Sequence, residues 1–183
     1  MQVIQRVVLS WLELLSNQTV GFKMDLRPHF IKYLTELADK DDSIMFIVGD
    51  LGYGFAEPFI KKHPDKFLNC GIMEQSMVGI ACGLALGGKK PYVYSVINFL
   101  IFRAYEQMRN DVCYGNANVK LIGVRGKESY KFLGHSHNIT FEEDIMVLGH
   151  LPYLNICYPD NKIELQEDIA TTYLRQCPAY IRL

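Results

Sequence analysis

The sequence lacks an excess of charge of either sign. Its 19 lysines and arginines almost balance its 20 aspartates and glutamates, so the net charge at pH 7 is −1. A protein that holds nucleic acid presents a field of positive charge, and one that binds anionic lipid presents a polybasic patch. The composition therefore argues against nucleic acid and against a membrane surface as partners.

The sequence also lacks paired cysteines. Its five cysteines are odd in number and widely spaced, and none forms a C-x-x-C pair (Cys70, Cys82, Cys113, Cys157 and Cys177). Most of them lie in apolar runs, which is typical of reduced cysteines in a cytoplasmic protein. We therefore expect reduced, buried cysteines and no metal site in this chain.

Targeting segments and nucleotide-binding loops are missing as well. The apolar run 3–15 is interrupted by Arg6 and Glu13 and is followed by no small-residue cleavage site, so neither a signal peptide nor a membrane span fits it. We expect residues 1–22 to form an amphipathic helical extension that packs on the domain or on a partner, with Met24 as an alternative natural start. No G-x-G-x-x-G or Walker loop occurs, so a nucleotide held by this chain alone is not favoured.

What the sequence does have is a regular alternation of apolar runs of strand length and of helix length. With 183 residues, 49% of them apolar, the chain can form one domain, which we place at residues 23–183. We predict strands at 43–48, 66–69, 91–96, 119–124, 155–158 and 179–183, and helices at 25–38, 55–62, 73–86, 99–112, 142–150 and 162–175. This alternation indicates an α/β fold in which a mainly parallel sheet lies between two layers of helices.

The stretch 69–88, NCGIMEQSMVGIACGLALGG, lies at the centre of this pattern. An apolar stripe that includes Met77 and Ile80 predicts a helix, and the glycines at 87–88 end it. Glu74 lies in the first turn of this helix. Taken alone, an acidic residue at that position more often stabilises the helix dipole than catalyses a reaction.

Polar residues follow three of the predicted strands at their carboxyl ends. They are Asp50 after the first strand, the pair Asn98-Phe99 after the third, and the long connection 125–141 after the fourth. Ligand sites in parallel α/β sheets form at these strand ends. Long loops within compact domains are also more often functional than accidental. The sequence therefore places a candidate site at this edge of the sheet.

Several separated motifs, taken together, resemble the pyrimidine-binding domain of thiamine diphosphate enzymes in the transketolase group. They are DLGYG at 50–54, FLNCGIMEQSMVGIACGLALGG at 67–88, RAYEQMRND at 103–111, Gly134 with Ser136-His137, Glu143-Asp144, Leu151-Pro152 and Tyr158-Pro159-Asp160. The resemblance runs in order from about residue 24 to residue 183. It implies that the chain has the three-layer α/β/α fold of that domain.

The resemblance implies a catalytic role for Glu74. This residue matches the glutamate that hydrogen-bonds N1′ of the cofactor's pyrimidine ring and, by sharing a proton there, assists loss of the thiazolium proton. Such a carboxyl group has to hold a proton near neutral pH, and burial away from water favours the protonated form of a carboxyl group. We expect a subunit seam beside the apolar helix to provide that burial.

Three further residues are implied to contact the cofactor. Phe99 matches the aromatic residue that packs on the aminopyrimidine ring, and Phe102 is a weaker candidate that is more typical of a core residue. Asp50 fits a position at the cofactor's edge, with an ordinary strand-end turn residue as the alternative. Val96 stands where transketolases have a second stacking phenylalanine, so part of that aromatic box is lost. The polar residues of the following helix are interpreted as a solvated or subunit-facing surface (Arg103, Glu106 and Gln107).

The connection 125–141 carries the residues that are implied to face the substrate. His137 matches the histidine that faces the substrate's oxygens in transketolases, and His135 is a second candidate. Leu133 replaces an aspartate that reads a donor hydroxyl, and Arg125 replaces a histidine near the acceptor phosphate. An arginine suits a phosphate, sulfonate or carboxylate, although a salt bridge to a nearby glutamate explains Arg125 equally well.

The resemblance covers only the pyrimidine-binding half of a cofactor site. Nothing in the sequence resembles the Gly-Asp-Gly…Asn motif that holds Mg²⁺ and the diphosphate. We therefore expect a small subunit that joins a separate diphosphate-binding subunit, which holds the Mg²⁺, in an α2β2 heterotetramer. The implied activity is transfer of a two-carbon ketol unit between sugar phosphates. The alternatives are a 2-oxo acid decarboxylase, a 1-deoxyxylulose-5-phosphate-synthase-like or E1β-like subunit, and a non-catalytic assembly subunit.

Overall fold

The computed structural model describes residues 24–124, 128–139 and 143–183, with only the backbone described at 128–131. The extension expected at 1–22 and the candidate Arg125 therefore lie outside the described residues. The helices are α1 (Arg27–Ala38), α2 (Glu57–Lys62), α3 (Glu74–Leu86), α4 (Glu143–Leu148) and α5 (Lys162–Leu174). The strands are β1 (Ile44–Val48), β2 (Phe67–Asn69), β3 (Lys90–Val96), β4 (Lys120–Val124), β5 (Asn155–Cys157) and β6 (Ala179–Arg182).

The six strands form one sheet in the order β2-β1-β3-β4-β6-β5, and every pairing is parallel. The predicted α/β fold is thereby confirmed. All five residues of β4 are buried, as expected for a strand covered on both faces, which explains the continuous apolar runs of the sequence. The chain moves from β1 to one side for β2 and to the other side for β3. A crevice opens at such a switch point, at the carboxyl ends of the strands.

Helices cover both faces of the sheet. The layer made by α1, α2 and α5, which we call the α1 layer, packs on strand residues such as Phe46 and Tyr94. The layer made by α3, α4 and the helical segment 99–114, which we call the α3 layer, packs on residues such as Ile47 and Val93. Neighbouring strand residues therefore serve opposite layers, as the two-residue period of a β-strand requires.

Helix α3 ends where the sequence predicted, and its apolar residues are divided between the interior and the surface. The buried positions follow Glu74 at helical spacing and include Met77 and Ala81, whereas Ile80 is 41% exposed. The apolar pattern that predicted the helix therefore includes a residue that lies at the surface of the chain. At the end of the helix Gly88 has a φ of 87°, a left-handed conformation that glycine adopts without a steric penalty.

The helix predicted at 99–112 is not a regular α-helix. It consists of π turns at Phe99–Arg103 and Met108–Tyr114 with a single α turn, Tyr105–Gln107, between them. Apolar periodicity predicted a helix here correctly, but periodicity does not distinguish α from π turns. A π turn contains one extra residue and occurs frequently at functional sites. The loop after β4 also has structure of its own, with 3₁₀ turns over Glu128–Ser136 that are interrupted by a kink at Gly134.

The cysteines and helices bear on the class of protein. All five cysteines are free thiols. The expectation of burial is correct for Cys82 and Cys113, whereas the other three are half-buried. Among the helices of the described residues, none has the length and apolarity needed to cross a bilayer. No group of three or more potential metal ligands occurs in the part of the chain that the structure describes.

Candidate active site

The turn between β2 and α3 places Glu74. The side-chain oxygen of Asn69 accepts hydrogen bonds from the backbone N–H groups of Asp50 and Gly71, both at 2.9 Å. One amide oxygen thus joins the loop after β1 to the loop before α3. Gly71 has a φ of 73°, which favours glycine at this position. The turn thereby places Glu74 as the first residue of α3.

The carboxyl group of Glu74 is buried within the single chain. Its side chain is 3% exposed, and its two oxygens accept hydrogen bonds from Nη1 of Arg103 at 3.2 and 3.0 Å. We expected a subunit seam to bury this group, but the chain's own residues do so. The N-terminus of α3 adds the positive end of a helix dipole. The carboxyl group is therefore removed from water and held by two sources of positive charge.

An open pocket of about 470 Å³ lies beside this carboxyl group. Its lining comes from the start of α3, the residues just before it and one arginine of the 99–114 segment (Ile72, Met73, Glu74, Gln75, Ser76 and Arg103). Pockets for small molecules span roughly 300–1,000 Å³ and usually combine apolar walls with a few placed polar groups. This pocket has the size and the polar groups of a small-molecule site.

Phe99 and His137 extend the site beyond Arg103. The guanidinium carbon of Arg103 lies 3.8 Å from the centroid of the Phe99 ring, a cation–π contact. The imidazole of His137 meets the same ring edge-on, with centroids 4.7 Å apart and planes at 76°. Glu74, Arg103, Phe99 and His137 therefore form a continuous set of contacts, which we call the Glu74 cluster. Three of its four members were candidate residues of the sequence analysis.

Asn98 fastens the loop that carries His137 to the end of β3. Its Nδ2 donates hydrogen bonds to the backbone oxygens of His135 at 2.7 Å and Asn138 at 3.0 Å. Its Oδ1 is buried and has no hydrogen-bond partner among the described residues, which leaves one acceptor available. His135 contributes its backbone to this contact while its side chain is exposed. A substrate-binding role for the His135 side chain stays a prediction.

Ser136 orients the imidazole of His137. Its hydroxyl donates to the backbone oxygen of Leu133 at 2.7 Å, and the same Oγ lies 2.8 Å from Nδ1 of His137. A hydroxyl has one hydrogen and a carbonyl oxygen can only accept. Nδ1 is therefore the donor in the second bond, and the neutral imidazole has its lone pair on Nε2.

Asp50 and Phe102 lie outside the Glu74 cluster. Asp50 and Val96 line a second pocket of about 270 Å³. The Asp50 carboxylate accepts a hydrogen bond from the Tyr53 hydroxyl at 2.5 Å and a longer one from Asn69 at 3.3 Å, and these bonds lower the pKa of the carboxyl group. Phe102 is half-exposed at the protein surface. The cofactor-binding roles of both residues stay predictions.

Arg103 is the site residue that the sequence analysis missed. The interpretation as a solvated or subunit-facing surface was incomplete, because the side chain is 45% exposed yet pairs with Glu74. One signal was available: Phe99 and Arg103 are four residues apart, a spacing that favours one helix face. Arg103 and Glu74 are 29 residues apart in the sequence, so no local sequence pattern indicates their contact.

A family model for the pyrimidine-binding domain of transketolase matches residues 22–183. The chain belongs to this family. The resemblance of its motifs is thereby confirmed, and membership implies thiamine diphosphate as the cofactor. The two layers of helices on a parallel sheet are the fold of this domain.

The curated relatives of this transketolase-family chain are longer than the chain itself. One of them, a subunit of apulose-4-phosphate transketolase from Actinobacillus succinogenes, is 38% identical over 83% of this chain and 48% of the relative. 1-Deoxy-D-xylulose-5-phosphate synthase from Nitratidesulfovibrio vulgaris is 32% identical over 84% of this chain and 23% of that enzyme. The chain therefore spans about half of the first relative and about a quarter of the second.

A solved structure shows the same fold. It is a split-gene transketolase described as an inactive β4 tetramer, with 30% sequence identity and a TM-score of 0.74. The match covers 86% of this chain and 50% of that chain. The fold of the domain and its family are thus established together.

Proposed function

We propose that this chain is the pyrimidine-domain subunit of a split, thiamine diphosphate-dependent, transketolase-like transferase that moves a two-carbon ketol unit between sugar phosphates. The observation that carries the proposal is the buried carboxyl group of Glu74, which lines an open pocket and is joined through Arg103 to the ring of Phe99. The first curated relative is named as a subunit of a transketolase, and the solved neighbour as a split-gene transketolase.

The residues present fit one ring of the cofactor. A flat heterocycle needs an aromatic surface, and the planar guanidinium of Arg103 already lies over the Phe99 ring, with its carbon 3.8 Å from the ring centroid. A ring nitrogen needs a hydrogen-bonding partner that is removed from water, and Glu74 has that burial. In the proposal Phe99 holds the aminopyrimidine face, and Glu74 shares a proton with N1′. Thiamine diphosphate, when bound, supplies the carbanion chemistry that breaks the bond next to a ketone.

His137 is proposed to face the substrate's oxygens. Its contact with Phe99 keeps it beside the cofactor surface, and its bond to Ser136 fixes the ring orientation. In its protonated form an imidazole can donate to a developing alkoxide. Arg125 remains our candidate for a phosphate, sulfonate or carboxylate of the substrate. The half-exposed Leu133 supplies no polar group, so we expect weaker recognition of an ordinary ketose donor.

The diphosphate and the Mg²⁺ are proposed to lie on a separate diphosphate-domain subunit, in an α2β2 assembly. Large apolar side chains are exposed on the α3 layer, before and along α3 and in the 99–114 segment (Ile72, Met73, Ile80, Leu86 and Phe102). Contiguous exposed apolar residues mark protein interfaces. The free state of all five thiols suits a reducing compartment, so we propose a cytoplasmic complex.

A synthase-like reaction is the second candidate, because 1-deoxyxylulose-5-phosphate synthases match most of this chain. The two reactions differ in their donor: a synthase of this type releases carbon dioxide from a 2-oxo acid, whereas a transketolase does not. Carbon dioxide release from pyruvate by the assembled enzyme supports the synthase. Ketol transfer from a ketose phosphate without carbon dioxide supports the transketolase.

Replacement of Glu74 tests the proposal. In the complex of this chain with its diphosphate-domain partner, Glu74→Gln keeps the size of the side chain but removes the acidic proton. We expect ketol transfer to fall at least about 100-fold, the usual contribution of a positioned acid or base. Glu106→Gln, on the exposed surface of the same layer, is the control and keeps full activity. An unchanged rate in Glu74→Gln supports the non-catalytic assembly subunit instead.

A further inference from the structure

Arg103 makes the two contacts that the proposed function assigns to the cofactor ring. Its guanidinium lies 3.8 Å from the Phe99 centroid, where a flat aminopyrimidine would stack. Its Nη1 donates to both carboxylate oxygens of Glu74, where a ring nitrogen would bind. A guanidinium is planar and delocalised, and it stacks on aromatic faces much as a heterocycle does. One side chain of this chain thus reproduces both features of the ligand.

The two occupants need opposite hydrogen-bonding polarity from Glu74. Arginine carries donors only, so Glu74 accepts from Arg103. A ring nitrogen such as N1′ has a lone pair, so Glu74 has to share a proton with it as the donor. Both oxygens of Glu74 are already engaged by Arg103. The arginine and the ring therefore compete for the same group.

Arg103 is able to leave. Its side chain is 45% exposed and forms part of the wall of the open pocket beside Glu74. An arginine has a long flexible stem, and solvent reaches nearly half of this side chain, so the pair is weaker than a fully buried one. The residues it would leave behind, Glu74 and Phe99, remain fixed by α3 and by the end of β3. Departure of the side chain does not require rearrangement of the backbone.

We propose that Arg103 is a stand-in for the aminopyrimidine ring. In the subunit that lacks cofactor, its guanidinium covers Phe99 and pairs with Glu74. When the ring enters, the guanidinium moves out toward solvent and Glu74 changes from acceptor to donor. This inference rests on the proposed function of the site. The physical benefit is that the buried carboxylate keeps a partner whether or not the ring is bound, since a buried charge without a partner destabilises the fold.

Two other roles for Arg103 predict different results. If the arginine remained in place and helped to hold the cofactor, its removal would weaken cofactor binding. If it only stabilised the fold, its removal would leave cofactor binding unchanged. A stand-in predicts tighter binding after removal, because the ring no longer displaces a competitor. The sign of one measured change therefore separates the three roles.

The test measures the affinity of thiamine diphosphate, in the presence of Mg²⁺, for the complex of this chain with its diphosphate-domain partner. Isothermal titration calorimetry compares wild type with Arg103→Met, which keeps the length of the side chain without the charge. We expect Kd to fall about 3- to 30-fold, the range given by one weak ion pair and one cation–π contact. Arg103→Lys keeps the charge but loses the planar stack, and its Kd lies between the two.

Arg109 provides the matched control. It lies in the same helical segment, its guanidinium carbon is 4.9 Å from the ring centroid of Tyr114, and it binds Asn110 rather than a buried carboxylate. Arg109→Met leaves the Kd unchanged. An equal or weaker affinity in Arg103→Met overturns the stand-in, whereas a wild-type complex that takes up no thiamine diphosphate overturns the proposed function itself.

A second readout needs neither cofactor nor activity. In the chain alone, urea unfolding of Arg103→Met reports the loss of the partner of Glu74, and we expect the folding equilibrium constant to fall about 3- to 10-fold. The double variant Arg103→Met/Glu74→Gln recovers part of this loss, because the unpaired carboxylate is gone. Strictly additive effects of the two substitutions contradict the pairing and with it the stand-in.

Discussion

The two helical layers of this protein differ in what their outer surfaces carry. The α1 layer closes over an aromatic core in which Phe46 contacts Phe30, Phe59 and Tyr94 with centroids 5.3–6.1 Å apart. Its α5 helix exposes Ile163 and Leu174 as scattered residues, which is normal for a surface. The α3 layer also packs on the sheet, but it exposes large apolar side chains before α3, along it and on the neighbouring segment (Ile72, Leu86 and Phe102 among them).

We interpret this difference as one layer that is completed within the chain and one that the proposed partner covers. The α1 layer supplies stability and carries none of the Glu74 cluster. The α3 layer carries Glu74, Arg103 and Phe99 together with the apolar surface that we assign to a partner. Substitutions in the two layers should therefore separate effects on folding from effects on assembly and cofactor binding.

The largest expected effect on stability lies in the α1 layer. Phe46→Ala removes a fully buried ring from the centre of the aromatic contacts, and such truncations lower the free energy of unfolding by about 3–5 kcal/mol. Urea unfolding of the chain measures this change. Phe102→Ala, which truncates a half-exposed ring of the α3 layer, is the control and changes the free energy by less than about 0.5 kcal/mol. Equal losses in the two variants would remove the distinction between the layers.

A glycine on the side of the sheet that faces the α3 layer gives the next effect. A Cβ added at Gly123 would lie 2.7 Å from a ring carbon of Tyr180 and 2.9 Å from Ile97. Tyr180 cannot easily move, because it is fully buried and its hydroxyl donates to Asp144 at 2.8 Å. Gly123→Ala should lower the free energy of unfolding by about 1–3 kcal/mol, as overpacking does.

The control for Gly123 is a glycine of helix α3. Around Gly83 nothing lies within 4 Å of an added Cβ, and alanine is a better helix former than glycine. Gly83→Ala should raise the free energy of unfolding by about 0.5–1 kcal/mol. Thermal and urea unfolding check both variants. A lower free energy of unfolding in Gly83→Ala would mean that other residues of the same chain already cover this face of α3.

Asp41 predicts a pH dependence for the α1 layer. Its carboxylate accepts hydrogen bonds from Lys90 at 2.7 Å, Ser43 at 2.6 Å and Tyr173 at 2.9 Å. Burial alone raises the pKa of this carboxyl group, but the hydrogen bonds outweigh burial and the pKa lies below its usual value. At pH 7, Asp41→Asn should lower the free energy of unfolding by about 1–2 kcal/mol.

The sign of the pH dependence follows from the lowered pKa. A group whose pKa is depressed by folding contributes stability above its unfolded pKa of 3.8, and that contribution is lost as the pH falls through the folded pKa. The difference between wild type and Asp41→Asn should therefore shrink below about pH 4. Urea midpoints measured from pH 7 down to pH 2 show whether it does, and a constant difference would contradict the assignment.

The smallest effect on the chain alone is expected on the outer surface of the α3 layer. Ile80→Lys places a charge on an exposed position of α3 and should change the free energy of unfolding by less than about 0.5 kcal/mol. Assembly with the partner should nevertheless weaken about tenfold or more, because a charge replaces an interface residue. Ile163→Lys on α5 is the matched control and changes neither quantity. Sedimentation of the mixed subunits measures assembly.

Much of the fold follows from local patterns. Continuous apolar runs predicted β1 and β4 because both faces of these strands are buried, and the glycine pair at 87–88 marked the end of α3 because one of them adopts a positive φ. Ile80 belongs to the apolar pattern and is nevertheless exposed, because α3 is apolar on more than one side. A pattern of apolar residues does not state which side meets the sheet and which meets a partner.

The candidate site was accessible from sequence only in part. Glu74, Phe99 and His137 were found because each lies in a motif similar to those of a known family. Arg103 was missed because its partner Glu74 is distant along the chain, and only the parallel sheet brings α3 beside the 99–114 segment. The clamp made by Asn98 was equally hidden, since it depends on backbone oxygens of a loop whose path no side-chain pattern records.

The π turn at Phe99–Arg103 has a consequence for protein engineering. Successive residues of an α-helix are rotated by about 100°, and a π turn accommodates one residue more than an α turn. Deletion of a single residue inside this turn would swing the arginine about 100° around the helix axis without changing its identity. The number of residues in this turn, as much as their chemistry, therefore determines whether the guanidinium of Arg103 meets the ring of Phe99 and the carboxylate of Glu74. A one-residue deletion between Phe99 and Arg103 offers a way to move the guanidinium out of the pocket while every functional group is retained.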